Sequence, residues 1–324
     1  MTTVSRRRGA ALVLALGLLV LAGPAAAQDL IKVKMGRIAF PSYVTVMVDI
    51  VKETGLDRKN GLDLDVVTFG AISAYYGALA SGEVETLGIG THVLQKMRTE
   101  GVPIKAVLTY VRYAGPWVVT ADPAIKSIAD LKGKTIAAAI GSSGYQVLAI
   151  YGRTQGVVFG KDVTVIQADP PLARAQIQAK RVDAIMTWEP SLTLTLRDNP
   201  QYRVILNGEA AMKGAAKSEG WEFVFGAREE FLRRQPQAVP RLLKMFQEGS
   251  RFLQSNPEEA DRILQRTAKM PEGVLKEAVT ARRMTYELLP AWESERPVIW
   301  NMFKLAVDWG YLEKLPDEGA IYAP

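Results

Sequence analysis

A large aromatic side chain, a carboxylate and a proline end the apolar segment VDAIMTWEP. The β-branched and apolar residues of this segment predict a buried strand, and Pro190 suits the first turn of a following helix. Trp188 and Glu189 therefore lie at a strand-to-helix corner. Because ligands of open α/β sheets bind at the carboxyl ends of strands, this corner is either part of a binding site or a structural turn.

The chemistry of Glu189 narrows what such a site binds. A buried carboxylate repels an anion, so Glu189 indicates a ligand amine, another hydrogen-bond donor, or a contact between two lobes. Phe40, Trp117 and Trp188 are candidate walls for the apolar part of a ligand, with packing in the core as the alternative for each of them.

The loop GSSGY offers the opposite chemistry, an anion site. Ser142 and Ser143 precede a predicted helix, whose unpaired N–H groups and adjacent hydroxyls can hold an oxyanion, while a simple helix cap is the structural alternative. Thr91 occupies the matching position after the GIG run. Arg112 can form a bidentate pair with a carboxylate or sulfonate, or remain solvated near a hinge.

Two other polar residues receive structural interpretations. His92 is the single histidine of the chain, and a surface or capping role is favoured over catalysis. Asp169 precedes two prolines, which predicts that it caps a helix.

An internal repeat indicates the elements that position these residues. LASGEVETLGIGTHVL, from Leu79, aligns without a gap with IQAKRVDAIMTWEPSL, from Ile177. Each half then contains strand, loop and helix three times, and Gly55, Gly82 and Gly156 fall where helices should end. The sequence therefore predicts an α/β protein with two lobes and a cleft between them.

The loops at the strand ends of both halves face this cleft. The first half supplies AFPSY, TFGAIS and GIGTH, and the second supplies AIGSSGY, QADPPL and TWEPS. The candidate ligand-binding residues are Phe40, Ser42, Gly70, Gly90, Thr91, Arg112, Ser142, Ser143, Trp188 and Glu189.

The chain is predicted to cross between the lobes twice. VLTYVRYAGPWVVT leads out of the first half, and EGWEFVFG returns to it before three helical stretches. Two crossings are what a hinge needs. The predicted boundaries are 1–27 for a signal peptide, 28–116 and 213–324 for lobe 1, and 117–212 for lobe 2.

The N-terminus has the order of a secretory signal. Three arginines at positions 6–8 precede an apolar segment, and Ala25 to Ala27 precede Gln28, which predicts cleavage after Ala27. The chain contains no cysteine, which excludes disulfides, thiolate catalysis and a lipid-modified N-terminal cysteine. These features predict a periplasmic protein without a lipid anchor.

Composition argues against nucleic acid as a partner. The formal net charge is +6, and removal of the three signal arginines leaves +3, which is too mild for that role. About 297 residues remain after cleavage, enough for two lobes with separate cores. No cofactor or metal site is expected, and the protein is predicted to be a monomer.

Five segments together resemble a known family. GLDLDVVTFG, ALASGEVETLGIG, SIADLKGKTIAAAIGSSG, VDAIMTWEP and AVDWGYLE occur in the order seen in the nitrate, sulfonate and taurine branch of ABC importer substrate-binding proteins. The resemblance implies a type II periplasmic binding fold that closes on a small ligand and docks on a permease driven by a separate ATPase.

The leading hypothesis is therefore a receptor for a small organic anion or zwitterion, such as a sulfonate, taurine, nitrate or a carboxylate. A receptor for a pyrimidine or another aromatic compound is the alternative ligand class. A periplasmic enzyme is a rival, but one histidine and no metal-ligand cluster leave few catalytic candidates beyond the carboxylates Asp169 and Glu189. A sensor domain is a second rival, and it would normally carry a transmembrane or signalling segment.

Overall fold

The computed structural model of the chain describes residue 2 and residues 30–113, 115–216 and 219–324. The predicted signal peptide, residues 1–27, lies outside these residues apart from position 2. Within the described ranges, no helix is both long enough and apolar enough to cross a membrane.

The strands in these ranges are Ile31–Ile38 (β1), Leu62–Phe69 (β2), Thr86–Gly90 (β3), Ile104–Val111 (β4), Trp117–Thr120 (β5), Thr135–Ala138 (β6), Thr164–Gln167 (β7), Ala184–Thr187 (β8), Arg203–Leu206 (β9) and Phe223–Arg228 (β10). The α-helices are Tyr43–Glu53 (α1), Leu56–Lys59 (α2), Ile72–Ser81 (α3), Thr91–Thr99 (α4), Ser143–Thr154 (α5), Pro170–Gln178 (α6), Ser191–Asp198 (α7), Gly208–Ala216 (α8), Glu229–Arg234 (α9), Ala238–Ser255 (α10), Pro257–Ala268 (α11), Val274–Thr280 (α12) and Arg296–Asp308 (α13).

The strands form two five-stranded sheets of the same design. The first has the order β2-β1-β3-β10-β4 and the second the order β7-β6-β8-β5-β9. In each, the first three strands are parallel and the fourth is antiparallel to its neighbours. Strands that correspond in the sequence repeat occupy corresponding places, and this confirms the predicted α/β fold with two lobes.

Helices follow the parallel strands as predicted. Gly55, Gly82 and Gly156 lie at the ends of α1, α3 and α5 and have φ of 67°, 88° and 69°, which favours glycine. Pro190 takes the N-cap position, and α7 begins at the next residue. Each parallel strand therefore ends in a short loop that leads directly into a helix.

Helix α1 is more deeply buried than its one-sided pattern predicts. Every residue from Tyr43 to Val51 is buried, because α10 and α11 cover the face that points away from the first sheet. The one carboxylate on this stretch, Asp49, is paired with Arg37, whose Nε lies 2.7 Å from Oδ1. Asp49 therefore does not enter the core as an isolated charge.

The chain connects the two sheets twice, as predicted. It leaves the first sheet after Val111, enters the second at Trp117, and returns to the first sheet with β10. The C-terminal helices pack on the first sheet's side, with α10 and α11 against α1 and α13 against α4. At the start of α11, Asn256 takes the N-cap position but its side chain makes no capping hydrogen bond.

Candidate ligand site between the lobes

A small cavity of about 30 Å³ lies where the strand ends of the two sheets face each other. Both lobes and the return crossing contribute side chains to its wall. The lining residues are Ile38, Ser42, Tyr43, Val44, Ile72, Tyr76, Ser142, Ser143, Trp188, Glu222 and Phe223. Of the predicted candidates, Ser42, Ser142, Ser143 and Trp188 are thus brought together.

The lobes touch directly beside this cavity. A Cβ atom on Gly90, at the end of β3, would lie 2.4 Å from Cβ of Ser143, the first residue of α5. Real Cβ atoms do not approach each other so closely. The added Cβ would also lie 3.2 Å from the backbone Cα of Ser143. The two strand-end regions can therefore meet only because Gly90 has no side chain.

The two serines of the GSSGY loop have different partners. Ser142 caps α5, because its Oγ accepts a hydrogen bond from the Tyr145 N–H at 3.2 Å and donates to the Ala139 carbonyl at 2.7 Å. Ser143 Oγ donates to Oε1 of Glu222 at 3.0 Å. A carboxylate thus stands where the sequence suggested an anion.

Glu222 is a wall residue that the sequence did not predict. It is 2% exposed, and the Gly115 N–H of the other crossing donates to its Oε2 at 2.6 Å. Its backbone also binds the residues that directly follow β3 and β4. The Glu222 carbonyl accepts a hydrogen bond from the Thr91 N–H at 2.8 Å, and the Glu222 N–H donates to the Arg112 carbonyl at 3.1 Å. The sequence feature that could have indicated Glu222 is its position in EGWEFVFG, the segment predicted to lead the chain back to the first lobe.

Two tyrosines complete the wall: Tyr43 belongs to the AFPSY loop that was predicted to face the cleft, whereas Tyr76 was not predicted. Burial raises the pKa of Tyr43 well above its usual value, and the carboxylates of Glu189 and Glu222 raise it further. Burial likewise raises the pKa of Tyr76, with a hydrogen bond to the Gly90 backbone opposing the shift. Both hydroxyls therefore stay protonated at neutral pH. The hydroxyl of Tyr43 donates to the Arg283 carbonyl at 2.7 Å.

Trp188 forms an aromatic wall with an unused donor. It is 8% exposed, and its Nε1 is buried without a hydrogen-bond partner among the described residues. The ring of Phe40 lies 6.5 Å from it, centroid to centroid, at a tilt of 32°. Phe40 and Gly70 line a second groove between the lobes, together with Asp169.

Glu189 lies behind this wall and does not line the cavity. Its side chain is fully buried and accepts a hydrogen bond at Oε1 from Arg283 Nε at 2.6 Å. The N–H and hydroxyl of Thr193 bind Oε2 at 3.1 and 2.9 Å. Of the three interpretations of Glu189, this geometry matches a contact between lobes.

Three other candidates are not among the residues that line the cavity. Arg112 binds Glu287 at 3.0 Å through Nε, and its guanidinium stacks 3.9 Å from the Trp221 ring centroid. Thr91 Oγ1 donates to the Trp221 carbonyl at 2.5 Å. Trp117 belongs to β5 and pairs with Thr187 of β8. These residues support the crossings between the lobes and do not contribute to the cavity wall.

The structure corrects the interpretation of His92. His92 is 1% exposed, so it is neither a surface residue nor accessible for catalysis. Burial lowers the pKa of His92 to about 4, with Gln95 opposing the shift, so the imidazole is neutral at pH 7.

Asp169 occupies the predicted N-cap position of α6, but its side chain makes no capping bond there. Burial raises the pKa of Asp169, and a hydrogen bond from the backbone of Ile72, on α3 of the first lobe, opposes this shift. Asp169 therefore contacts the opposite lobe across the second groove.

Metal ligation has no candidate here, since the described part of the chain contains no group of three or more metal-ligating side chains. The described residues that line the cavity include no arginine or lysine. The chemistry that this wall offers is aromatic contact, hydroxyl hydrogen bonds and one carboxylate acceptor.

Two α/β lobes, two crossings and a cavity at the facing strand ends define the bilobal fold of periplasmic binding proteins. The alkanesulfonate-binding protein SsuA of Xanthomonas axonopodis pv. citri has the same fold, with a TM-score of 0.75 at 21% identity over 90% of this chain and 98% of that one. At this identity the similarity establishes the fold alone.

Sequence comparison then gives the family. Residues 49–260 match the model of the family described as NMT1/THI5 like, and the chain belongs to this family. A protein of Brucella abortus named as a binding protein is 31% identical over 265 residues, which are 82% of this chain and 80% of the relative. The taurine-binding periplasmic protein of Escherichia coli is 25% identical over 224 residues, 67% of each chain.

Proposed function

We propose that the protein is a periplasmic receptor that delivers a small solute to an ABC importer. Its fold, its family and the binding proteins among its relatives support this role. We further propose that residues 28–116 and 213–324 form lobe 1 and residues 117–212 form lobe 2, and that the closed lobes present a joined surface to the permease. The receptor acts as a monomer without an attached lipid.

The ligand class follows from the carboxylate of Glu222, which carries this part of the proposal. A buried carboxylate favours a partner that donates hydrogen bonds or carries positive charge, and disfavours an anion beside it. We therefore propose a ligand with a donor nitrogen, either the ammonium of a zwitterion such as taurine or the amino group of a pyrimidine-like ring.

The aromatic wall supports the same ligand class. Tyr43, Tyr76 and Trp188 offer flat apolar surfaces, and the buried Nε1 of Trp188 would gain from a ligand acceptor. A compact molecule with a donor at one end and an acceptor or aromatic face at the other uses both features. Nitrate and unsubstituted sulfonates have no donor for Glu222.

Calorimetric titration of the mature protein tests both the role and the ligand class. The panel is taurine, an alkanesulfonate without an amine, nitrate, an aminopyrimidine and an aromatic carboxylate. Taurine or the aminopyrimidine should bind, and the amine-free anions should not. Tight binding of nitrate or of the amine-free sulfonate would contradict the donor requirement, whereas binding of no small solute would contradict the receptor role.

A charge-removing variant sharpens the result. Glu222→Gln keeps the shape of the side chain and should weaken binding by about 1.5 to 3 kcal/mol, the range for hydrogen bonds to charged groups. Glu209→Gln, at a side chain 55% exposed on α8, is the matched control and should leave affinity unchanged. Equal or tighter binding by Glu222→Gln would indicate an anionic group beside this residue.

A further inference from the structure

Arg283 belongs structurally to the first sheet's side of the molecule. The segment that follows it runs along β4, where the Leu289 carbonyl accepts from Thr109 N–H at 2.9 Å. The Tyr286 ring packs 5.3 Å from that of Tyr110, centroid to centroid. Arg283 is therefore anchored to the edge of the first sheet, 94 residues along the chain from Glu189.

From this anchor, the Arg283 side chain reaches the corner after β8 of the second sheet. Its Nε lies 2.6 Å from Glu189 Oε1, and its Nη2 donates to Thr193 Oγ1 at 2.8 Å. A third contact, from Nη2 to Glu277 Oε1 at 3.2 Å, holds the guanidinium from the side of α12. The pair thus joins the lobes outside the two covalent crossings.

Burial distinguishes this pair from the neighbouring ion pair between α7 and α12. Glu189 is fully buried and Arg283 is 23% exposed at the side chain, whereas Arg197 and Glu277 are 40% and 42% exposed. Water screens the outer pair, so it contributes little. Separating the inner pair while Glu189 stays buried leaves an uncompensated charge, which is strongly unfavourable.

The pair lies directly behind two walls of the cavity. The Arg283 carbonyl accepts the hydrogen bond of the Tyr43 hydroxyl, and the Tyr43 carbonyl accepts one from the Tyr286 hydroxyl, each at 2.7 Å. Glu189 follows Trp188 in the chain. One residue therefore fixes a wall from each lobe, Tyr43 from the first and Trp188 from the second.

Resting on the proposed receptor function, we propose that Arg283 is a positioning residue that holds the lobes closed around the solute through Glu189. A solute enters the open form and leaves only after the pair has separated. Arg283 therefore governs the dissociation rate, while the association rate depends on the open form and is nearly independent of it.

A measurement without any ligand tests the closure directly. The chain has no native cysteine, so Lys161→Cys on the second lobe and Lys244→Cys on the first, both exposed, can carry spin labels for a pulsed distance measurement. Arg283→Met and Glu189→Gln should each shift the distribution towards the open form. Arg283→Lys should retain part of the closed population because it keeps the charge.

Arg174→Met is the matched control. Arg174 forms a bidentate pair with Asp198 at 2.5 Å for both contacts, entirely within the second lobe. This variant removes a bidentate arginine pair without touching the contact between lobes, so the label distance should not change. An unchanged distance in Arg283→Met, with its thermal unfolding midpoint also unchanged, would overturn the proposal.

Stopped-flow kinetics with the solute found by titration provide the second readout. In Arg283→Met the dissociation rate should rise about 10-fold or more, the equivalent of one lost charged hydrogen bond, with the association rate changed less than about threefold. An equal loss in both rates would indicate a general structural defect and contradict the proposal. Because the label distances need no solute, failure to find a ligand would count against the receptor function alone.

Discussion

The corners at the ends of β3 and β8 occupy the same place in the repeated fold, but the side chains at the first are small and those at the second are large. Gly90 and Thr91 form the first corner, and Trp188 and Glu189 form the second. The first contributes almost no volume, and its hydroxyl is bound to the Trp221 carbonyl of the return crossing. The second fills one wall of the cavity and is bound to Arg283.

This difference shows how a repeated scaffold acquires an asymmetric site. Topology places both corners at the cleft, but close approach of the lobes needs a small residue on one side, as at Gly90 against Ser143. The aromatic contact surface is then supplied by the other side. Equivalence of position in the two lobes therefore does not imply equivalence of role.

The largest expected effect is at the second corner. Trp188→Ala removes a wall of the cavity and should weaken binding by about 2 to 4 kcal/mol, as for a central aromatic contact. Trp188→Phe should retain a good part of the affinity. Calorimetry with chemical unfolding of each variant checks this. Normal binding combined with a loss of about 3 to 5 kcal/mol in unfolding free energy, typical of a core aromatic, would mean that Trp188 only packs the core.

The first corner should respond to pH through the buried His92. Its pKa is about 4 in the folded chain, below the value near 6.5 of an unfolded chain. The unfolded state therefore binds the proton more readily, so this contribution to stability is present above pH 6.5 and is lost as the pH falls towards 4. Between pH 7.5 and 4.5 the loss is about 2.5 kcal/mol.

Comparison with His92→Gln isolates this term, because all carboxylates titrate alike in both proteins. The wild-type unfolding free energy should fall more steeply with acidification than that of the variant. Parallel curves between pH 7.5 and 4.5 would show that His92 does not titrate differently on folding.

Volume at the first corner is the next test. Gly90→Ala adds a Cβ that would lie 2.4 Å from the Ser143 Cβ, and should weaken binding by about 1 to 3 kcal/mol, as overpacking does. Adding Ser143→Gly should recover affinity by removing the clashing atom. Gly70→Ala is the control, since nothing lies within 4 Å of its added Cβ. No recovery in the double variant would mean that the clash is not the cause.

The smallest effect concerns the hydroxyl groups of the two corners. Thr91→Val removes one hydrogen bond to the Trp221 carbonyl and should cost about 1 kcal/mol of unfolding free energy, with affinity nearly unchanged. Thr193→Val removes a partner shared by Glu189 and Arg283, and should increase solute dissociation instead. The same response from both variants would remove the distinction between the corners.

Much of the scaffold could be predicted because the internal repeat is recognisable from local sequence patterns. Alternation of strand, loop and helix indicated both sheets and the loops that meet at the cleft. Four of the ten candidate side chains line the cavity, because position at a strand end was a sufficient guide for them. Position at a strand end does not predict the direction of a side chain. The Arg112 side chain contacts Glu287 and the Trp221 ring and does not line the cavity.

Glu222 and Arg283, two of the residues that were not predicted, depend on contacts between distant parts of the chain. Glu222 reaches the cavity because β10 inserts between β3 and β4, and no local pattern predicts that insertion. Arg283 lies in an irregular stretch after α12 and meets Glu189 only through the packing of the C-terminal segment. Sequence periodicity identifies faces and corners, whereas such pairings need the tertiary arrangement.

The place of β10 also determines the order in which the sheets can be completed during synthesis. All five strands of the second sheet lie between Trp117 and Leu206, while β4 at the edge of the first sheet has β10 as its neighbouring strand. As the chain emerges from its N-terminus, the second sheet therefore has every strand before the first does. The edge of the first sheet can pair only after Phe223–Arg228 has been synthesised. Because contacts between residues close in sequence form faster than contacts between distant ones, we expect this pairing of β4 with β10 to follow the formation of the local elements.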